Sequence, residues 1–160
     1  EKGWKILTTL LRPQGLMKIG LYSNLARIDV ARARNEIELQ GISSDYKSMI
    51  EFRNIIIDSN TEQNHSLTLK MDFYSTSEFR DLLFHVQEHR FTLPEIKGLL
   101  GDLELDFCGF EGKVVRKHFL SECSNSDLAY DLDEWNKFEL KNPSTFRNMY
   151  EFWCQKRSVG

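Results

Sequence analysis

The sequence predicts an α/β protein, and three adjoining patterns carry that prediction. Trp4, Leu7 and Leu11 recur at helical spacing, with Ile6 and Leu10 alongside. Arg12-Pro13-Gln14-Gly15 then stops the helix and turns the chain. Leu16-Met17-Lys18-Ile19-Gly20-Leu21-Tyr22 follows, apolar except for Lys18, as expected of a strand buried on both faces. A helix, a tight turn and a buried strand in succession are the unit from which α/β sheets are built.

Composition narrows the class. Of 160 residues, 41% are hydrophobic, which is enough for one packed domain and argues against global disorder. The net charge of −3 shows no basic excess, so nucleic acid is not an expected partner. No apolar run reaches the roughly 20 residues that span a bilayer, and no signal peptide is visible. Cys108, Cys123 and Cys154 are few, odd in number and far apart, which argues against a disulfide framework or a cysteine zinc site. A reducing cytoplasm is the default compartment. The first residue is not Met, and Gly3-Trp4 already reads as helix interior, so the natural start is expected upstream.

After Ser23 the pattern becomes helical, and residues 24–66 read as an insertion. Ala26, Val30, Ala33 and Ile37 form a stripe that Gly41 closes, a position suited to a left-handed cap. Ser43-Ser44-Asp45 offers the next start, followed by a stripe of Tyr46, Met49, Ile50 and Ile57. If this hairpin only packs, Arg27, Arg32 and Arg34 form a solvated face. Residues 58–66 read as a polar loop. Leu67, Leu69, Met71 and Phe73 alternate with polar residues and favour a strand with one wet face, with a short helix leading to Ser75 as the alternative.

The stretch from Phe73 to Thr92 holds the strongest local signals. Ser75 and Glu78 fit a capping box, as do Thr92 and Glu95, with Pro94 in the first turn. Helices follow over 76–84, burying Phe79, Leu82 and Leu83, and over 93–103, burying Ile96, Leu99, Leu100 and Leu103. Gly98 and Gly101 imply close packing on the second of these. Between the caps lies His85-Val86-Gln87-Glu88-His89, which has the inverted zincin spacing. Thr92 begins a new helix three residues after His89, so the motif has no long helix to sit on, and no metal is expected. His85, Glu88, His89 and Arg90 instead read as a polar cluster in one of two roles. They bond backbone groups at a helix junction, the favoured reading, or they line a ligand site with His as base. Capping explains Ser75, whereas Tyr74 has no structural explanation and is a candidate pocket residue. His65 and His118 are expected at the surface.

Leu105 to Phe110 reads as the next strand, and Val114 to Phe119 as either its hairpin partner or a helix. The tail, 113–160, is expected to be helical. Asp131 and Glu134 can cap a helix that points Leu132, Trp135 and Phe138 one way. Asn142-Pro143 marks another helix start, followed by an aromatic stripe of Phe146, Met149, Tyr150 and Trp153.

Two of these segments carry a family resemblance. Gly3-Trp4 with Leu10 to Ser23 resembles the later part of class I S-adenosylmethionine-dependent methyltransferases. There a helix ends in a Pro-Gly-Gly-like turn and feeds the fifth parallel strand, and here Gln14 replaces the first Gly. Phe84 to Phe110 is similar to the segment leading into the sixth strand, and Tyr74-Ser75-Thr76-Ser77 adds to the likeness. The pattern resembles a bacterial subgroup often fused to tetratricopeptide repeats. The resemblance implies an incomplete Rossmann-like methyltransferase sheet, its C-terminal half, with a helical insertion and C-terminal helices, in a single domain over 1–160. It implies S-adenosylmethionine as cofactor of the full-length protein and an unknown methyl acceptor. It places Tyr22, Ser23 and Arg90 at a substrate pocket, with His85, Glu88, His89 and Tyr74 as catalytic candidates. No G-x-G-x-G occurs in the chain, so by the resemblance the cofactor half lies before Glu1 and the chain alone is inactive. A sheet cut in this way leaves an open edge, so self-association of the isolated chain is expected, as a dimer. The competing expectation is a non-catalytic protein-interaction module.

Overall fold

The computed structural model describes residues 2–59, 61–84, 88–123 and 125–158. In chain order its elements are α1 (Lys2–Leu10), β1 (Leu16–Ser23), α2 (Ile28–Gln40), α3 (Tyr46–Asp58), α4 (Glu62–Thr68), α5 (Thr76–Phe79), β2 (Arg90–Phe91), α6 (Leu93–Asp102), β3 (Leu105–Phe110), α7 (Lys113–Glu122), α8 (Leu132–Lys141) and β4 (Met149–Lys156). Short 3₁₀ turns occupy Met71–Phe73 and Ser126–Tyr130. A π-helical turn, Arg80–Phe84, continues α5. The chain forms two compact units, Glu1–Ala26 with His89–Gly160, and Arg27–Glu88. The inserted helical unit thus runs to Glu88 rather than stopping at residue 66.

The first unit is built on a four-stranded mixed sheet in the order β2-β1-β4-β3. β1 and β2 are parallel, and β4 runs antiparallel to both β1 and β3. β4 corrects the expectation of an all-helical tail. Asn142-Pro143 starts no helix, and the aromatic stripe beyond it is a strand. Tyr150, Phe152 and Cys154 are buried while Met149, Glu151 and Trp153 face out. The aromatic spacing also fits a period of two, and the two waiting strands decide between the periods. Val114 to Phe119, which periodicity leaves open, lies in α7 and buries Phe119.

β1 is not buried on both faces. Met17, Ile19 and Leu21 pack on the core, while Leu16, Lys18, Gly20 and Tyr22 are exposed. On the open face the Lys18 ammonium bridges Glu111 at 3.0 Å and Glu151 at 3.3 Å, and Trp153 Nε1 donates to Glu111. An antiparallel partner leaves one sheet face free to meet water, which a wholly parallel sheet does not. The turn before β1 holds Gln14 at φ 60°, the left-handed conformation that glycine adopts at no steric cost. At Gly15 a Cβ would lie 2.8 Å from the Arg12 carbonyl oxygen, so this position does require glycine.

The covered face is an aromatic core. Trp135 of α8 stacks on Phe119 of α7 at 4.0 Å and meets Phe110 edge-on at 4.9 Å, and its Nε1 donates to the Ala129 carbonyl. α8 buries Leu132, Trp135 and Phe138 as expected, with Asp131 as N-cap. α6 forms with the predicted Thr92–Glu95 capping box and buries Leu93, Ile96 and Leu100. Of the α1 stripe only Trp4 is deeply buried, and Leu7 and Leu10 are exposed. Neither Gly98 nor Gly101 meets another atom within 4 Å of an added Cβ, so the expected close packing is absent among the described residues.

The second unit is a helical cluster around Val30, Ala33, Ile37, Met49, Phe52, Ile56, Leu67 and Phe73. Gly41 caps α2 at φ 62°, and Asp45 caps α3 through two backbone N–H groups. In α3 the buried stripe is Met49, Phe52 and Ile56, while Tyr46 and Ile57 are exposed. The expected loop at 58–66 and strand at 67–73 are replaced by α4, capped by Thr61, and a 3₁₀ turn. Leu67 and Phe73 point into the helical core, whereas Leu69 and Met71 are exposed, so no common strand face forms. Ser75 sits at the predicted N-cap but makes no capping hydrogen bond, and its hydroxyl meets that of Ser77 instead.

Trp135→Ala is expected to cost roughly 3–5 kcal/mol of stability, because it empties the centre of the aromatic core. Urea denaturation measures it, and a loss below about 1 kcal/mol would contradict this packing.

Candidate functional site

β1 and β2 are parallel, so their C-terminal ends lie together, with Tyr22 opposite Arg90 and Ser23 opposite Phe91. The Asn24 N–H donates to the Phe91 carbonyl at 2.8 Å and prolongs the pairing by one step. Ligands of open α/β sheets bind beyond these strand ends. Here an open groove of about 860 Å³ runs past them, bounded by Tyr22, His89, Arg90, Phe91 and the outer face of α6.

Adjacent strand residues face opposite sides, so Tyr22 and Ser23 part company. Tyr22 lines the groove. Ser23 is fully buried, lies 2.9 Å from Glu139 Oε1 and 3.0 Å from the Tyr150 hydroxyl, and accepts the Ala26 N–H. The Tyr150 hydroxyl in turn donates to the Glu139 carboxyl. Burial raises both Glu139 and Tyr150 above their ordinary pKa values. No cation among the described residues pairs with Glu139. The cluster therefore locks the end of β1 to α8 and β4, and Ser23 does not face the groove.

The remaining candidates fall in different places. His89 and Arg90 are exposed on the groove wall beside Tyr22. Glu88 belongs to the helical unit, where Arg27 grips it in bidentate fashion and Arg34 adds a contact at 3.0 Å. Arg27 and Glu88 are almost fully buried and Arg34 is largely covered, so of the three arginines of the expected solvated face only Arg32 is substantially exposed. The Tyr74 hydroxyl donates to the Thr68 carbonyl, also within the helical unit. His85 lies outside the described residues. Glu88 and His89 are non-helical, so the inverted zincin spacing has no helix to present it. Among the described residues no three His, Cys, Asp or Glu side chains gather to hold a metal ion. His118 contacts Glu122 at the surface and meets the Phe138 ring edge-on at 5.0 Å, and His65 is exposed.

Sequence reasoning missed two parts of this region. Glu95 and Asp102 stand seven residues apart on α6 and give the groove an acidic wall. The Thr92 backbone N–H and hydroxyl hold the Glu95 carboxyl below its ordinary value, so it stays ionised at neutral pH. Glu139 also went unnoticed, although a carboxylate seven residues from Leu132 falls on the buried face of α8 and is the visible signal.

The described strand-to-helix junctions can be compared with the glycine-rich loops that hold nucleotide cofactors. Three strand-to-helix junctions are described, after β1, β2 and β3. They read Asn24-Leu25-Ala26-Arg27, Thr92 and Glu111-Gly112, and none is a glycine-rich loop aimed at a helix N-terminus. Among the described residues no helix is long and apolar enough to cross a membrane.

The α/β architecture, a four-stranded mixed sheet with helices and a helical unit, also occurs in a solved structure. The chain superposes on part of the structure of PKMT2 from Rickettsia typhi, with a TM-score of 0.64 and 11% sequence identity. The match covers 99% of this chain and 33% of that one, so the chain spans about a third of its neighbour's length. At this identity the likeness is one of fold. No protein-family model matches the sequence, and no curated protein matches it.

Two substitutions test these assignments. Glu88→Ala leaves the buried Arg27 and the partly buried Arg34 without their shared carboxylate and is expected to destabilise the protein by roughly 3–5 kcal/mol. An unchanged denaturation midpoint would contradict a structural role. Glu139 is shifted upward from 4.5, so its stabilising contribution is full below that pH and is lost as pH rises through the folded-state value. Glu139→Gln is therefore expected to gain on the wild type as pH rises above 4.5. Stability difference curves that stay flat with pH would show that the carboxyl is not buried as described.

Proposed function

We propose that the chain is the C-terminal part of a class I S-adenosylmethionine-dependent methyltransferase, acting on an acceptor whose identity is open. The observation that carries the reading is the fold likeness over 99% of the chain to PKMT2 from Rickettsia typhi, whose name we read as that of a methyltransferase. The resemblance of Leu10 to Ser23 and of Phe84 to Phe110 supports it, since these segments hold β1, β2, α6 and β3. The enzyme is read as bacterial and cytoplasmic, of the subgroup fused to tetratricopeptide repeats. On this reading β1 and β3 are the fifth and sixth strands of an incomplete Rossmann-like sheet. The cofactor, S-adenosylmethionine, is held by a glycine-rich half that these residues do not include.

The residues present would then serve the acceptor. Methyl transfer depends mainly on alignment of the reacting groups, so positioning is the main requirement. Tyr22 and Arg90 are the groups that would orient the acceptor, and the His89 imidazole beside them in the groove would take its proton.

A second reading, a non-catalytic protein-interaction module, is favoured by one observation. Beyond Tyr22 and Ser23, β1 has no strand partner on its β2 side among the described residues.

Calorimetric titration of the chain with S-adenosylmethionine and S-adenosylhomocysteine tests the first reading. The folded chain is expected to bind neither ligand. Micromolar binding by these residues alone would contradict it and would require a cofactor site of another design.

A further inference from the structure

The oxygens of Ser23, Tyr150 and Glu139 form a closed ring. Ser23 Oγ lies 2.9 Å from Glu139 Oε1 and 3.0 Å from the Tyr150 hydroxyl, and that hydroxyl lies 2.8 Å from Glu139 Oε2. Oxygens this close need a hydrogen between them. Ser23 and Tyr150 bring one hydrogen each, so the third contact draws on a carboxyl proton. The count closes when Tyr150 donates to Oε2, the Oε1–H donates to Ser23, and Ser23 donates to Tyr150. Ser23 keeps a second lone pair for the Ala26 N–H.

An ionised Glu139 leaves the ring one hydrogen short. Lone pairs then face each other at one contact, and a charge stands among side chains no more than 3% exposed. The charges on the surrounding elements are engaged elsewhere or lie at the surface. Lys18 of β1 holds Glu111 and Glu151 on the open sheet face. Lys156 of β4 donates to the Thr8 and Leu11 carbonyls. Lys97 of α6 pairs with Asp133, Lys137 of α8 with Glu134, and His118 of α7 with Glu122. Lys141 and Arg147 are exposed. Glu95 of α6, which acts on Tyr150, is itself an anion.

The ring sits where β1 gives way to the groove. The Ser23 N–H donates to Asn148 O and the Asn24 N–H to Phe91 O. The second bond continues the pairing of β1 with β2, one step beyond Tyr22 opposite Arg90. We propose that Glu139 is a positioning residue for the groove. As a neutral carboxyl it holds the end of β1, and through Asn24 it fixes Tyr22 beside Arg90. When its proton leaves to solvent, the ring opens and that end is released. The use of the groove by an acceptor rests on the methyltransferase reading, whereas the ring itself does not.

NMR titration of the chain upward from pH 4.5 tests the proposal. The carboxyl carbon signal of Glu139 is expected to titrate above that value, because burial raises it. The amide signals of Asn24 and Ala26 are expected to shift with the same midpoint. Glu139→Gln puts an N–H where the carboxyl had its O–H, so its ring stays closed at every pH. In that variant both amide signals are expected to keep the wild type's low-pH positions. Ser23→Ala cuts the link and is expected to uncouple both signals from the Glu139 midpoint. A Glu139 signal that does not titrate above pH 4.5 overturns the proposal, as do amide signals that stay still while it titrates. Amide shifts that persist in Glu139→Gln overturn it too, since another group, such as His89, then drives them. No arm of the experiment involves the cofactor, so its failure is distinct from failure of the methyltransferase reading.

Discussion

β4 satisfies two strands at once, and most of the sheet unit depends on that fact. A strand holds its conformation only where its N–H and C=O groups find partners. β1 pairs along β4 from Leu16 to Tyr22, and β3 pairs along the other side of β4 from Leu105 to Phe110. Without β4, β1 would retain two residues of pairing with β2, and β3 would have no ladder partner among the described residues. The same strand assigns the two faces. Tyr150, Phe152 and Cys154 enter the aromatic core, while Glu151 and Trp153 join Lys18 and Glu111 in a solvated network. The middle strand thus builds a core on one side and a wet surface on the other.

The two units solve the problem of buried polar groups differently. In the helical unit Glu88 is matched by two arginines, and Arg27 and Glu88 are both almost fully buried. Such a pair is worth little against an apolar alternative, yet costly to break from one side. In the sheet unit Glu139 has hydroxyl partners only, Ser23 and Tyr150, and burial favours its protonated form. Hydroxyls can accept a hydrogen bond as well as donate one, so this cluster suits a neutral carboxyl. It also fixes the point where β1 ends and the groove begins, which makes Ser23 a structural residue and leaves Tyr22 as its exposed neighbour.

Much of this was legible in the sequence where local chemistry decides. The Thr92–Glu95 box, the Gly41 cap, the Asp131 cap and the apolar face of α8 follow from neighbours three or four residues apart. Errors arose where distant chain segments decide. Phe146, Met149, Tyr150 and Trp153 read as a helix face because nothing nearby reveals that two strands await the segment. Leu67, Leu69, Met71 and Phe73 alternate like a strand, but with no partner strand beside them they became a helix end and a 3₁₀ turn. Of the candidate site residues, Tyr22, His89 and Arg90 meet at the groove. Glu88 and Tyr74 serve the helical unit, a role that shows only once Arg27, Arg34 and Thr68 are placed in space.

Residue-resolved amide hydrogen exchange along β1 tests the central placement of β4 most directly. Antiparallel pairing with β4 on one side only predicts an alternating pattern. Met17, Ile19 and Leu21 should be protected, while Leu16, Lys18 and Gly20 should exchange quickly at low protein concentration. Uniform protection along β1 in the dilute chain would mean that both edges are occupied. Uniformly fast exchange would mean that β4 does not lie beside it, and either result would contradict the structure described.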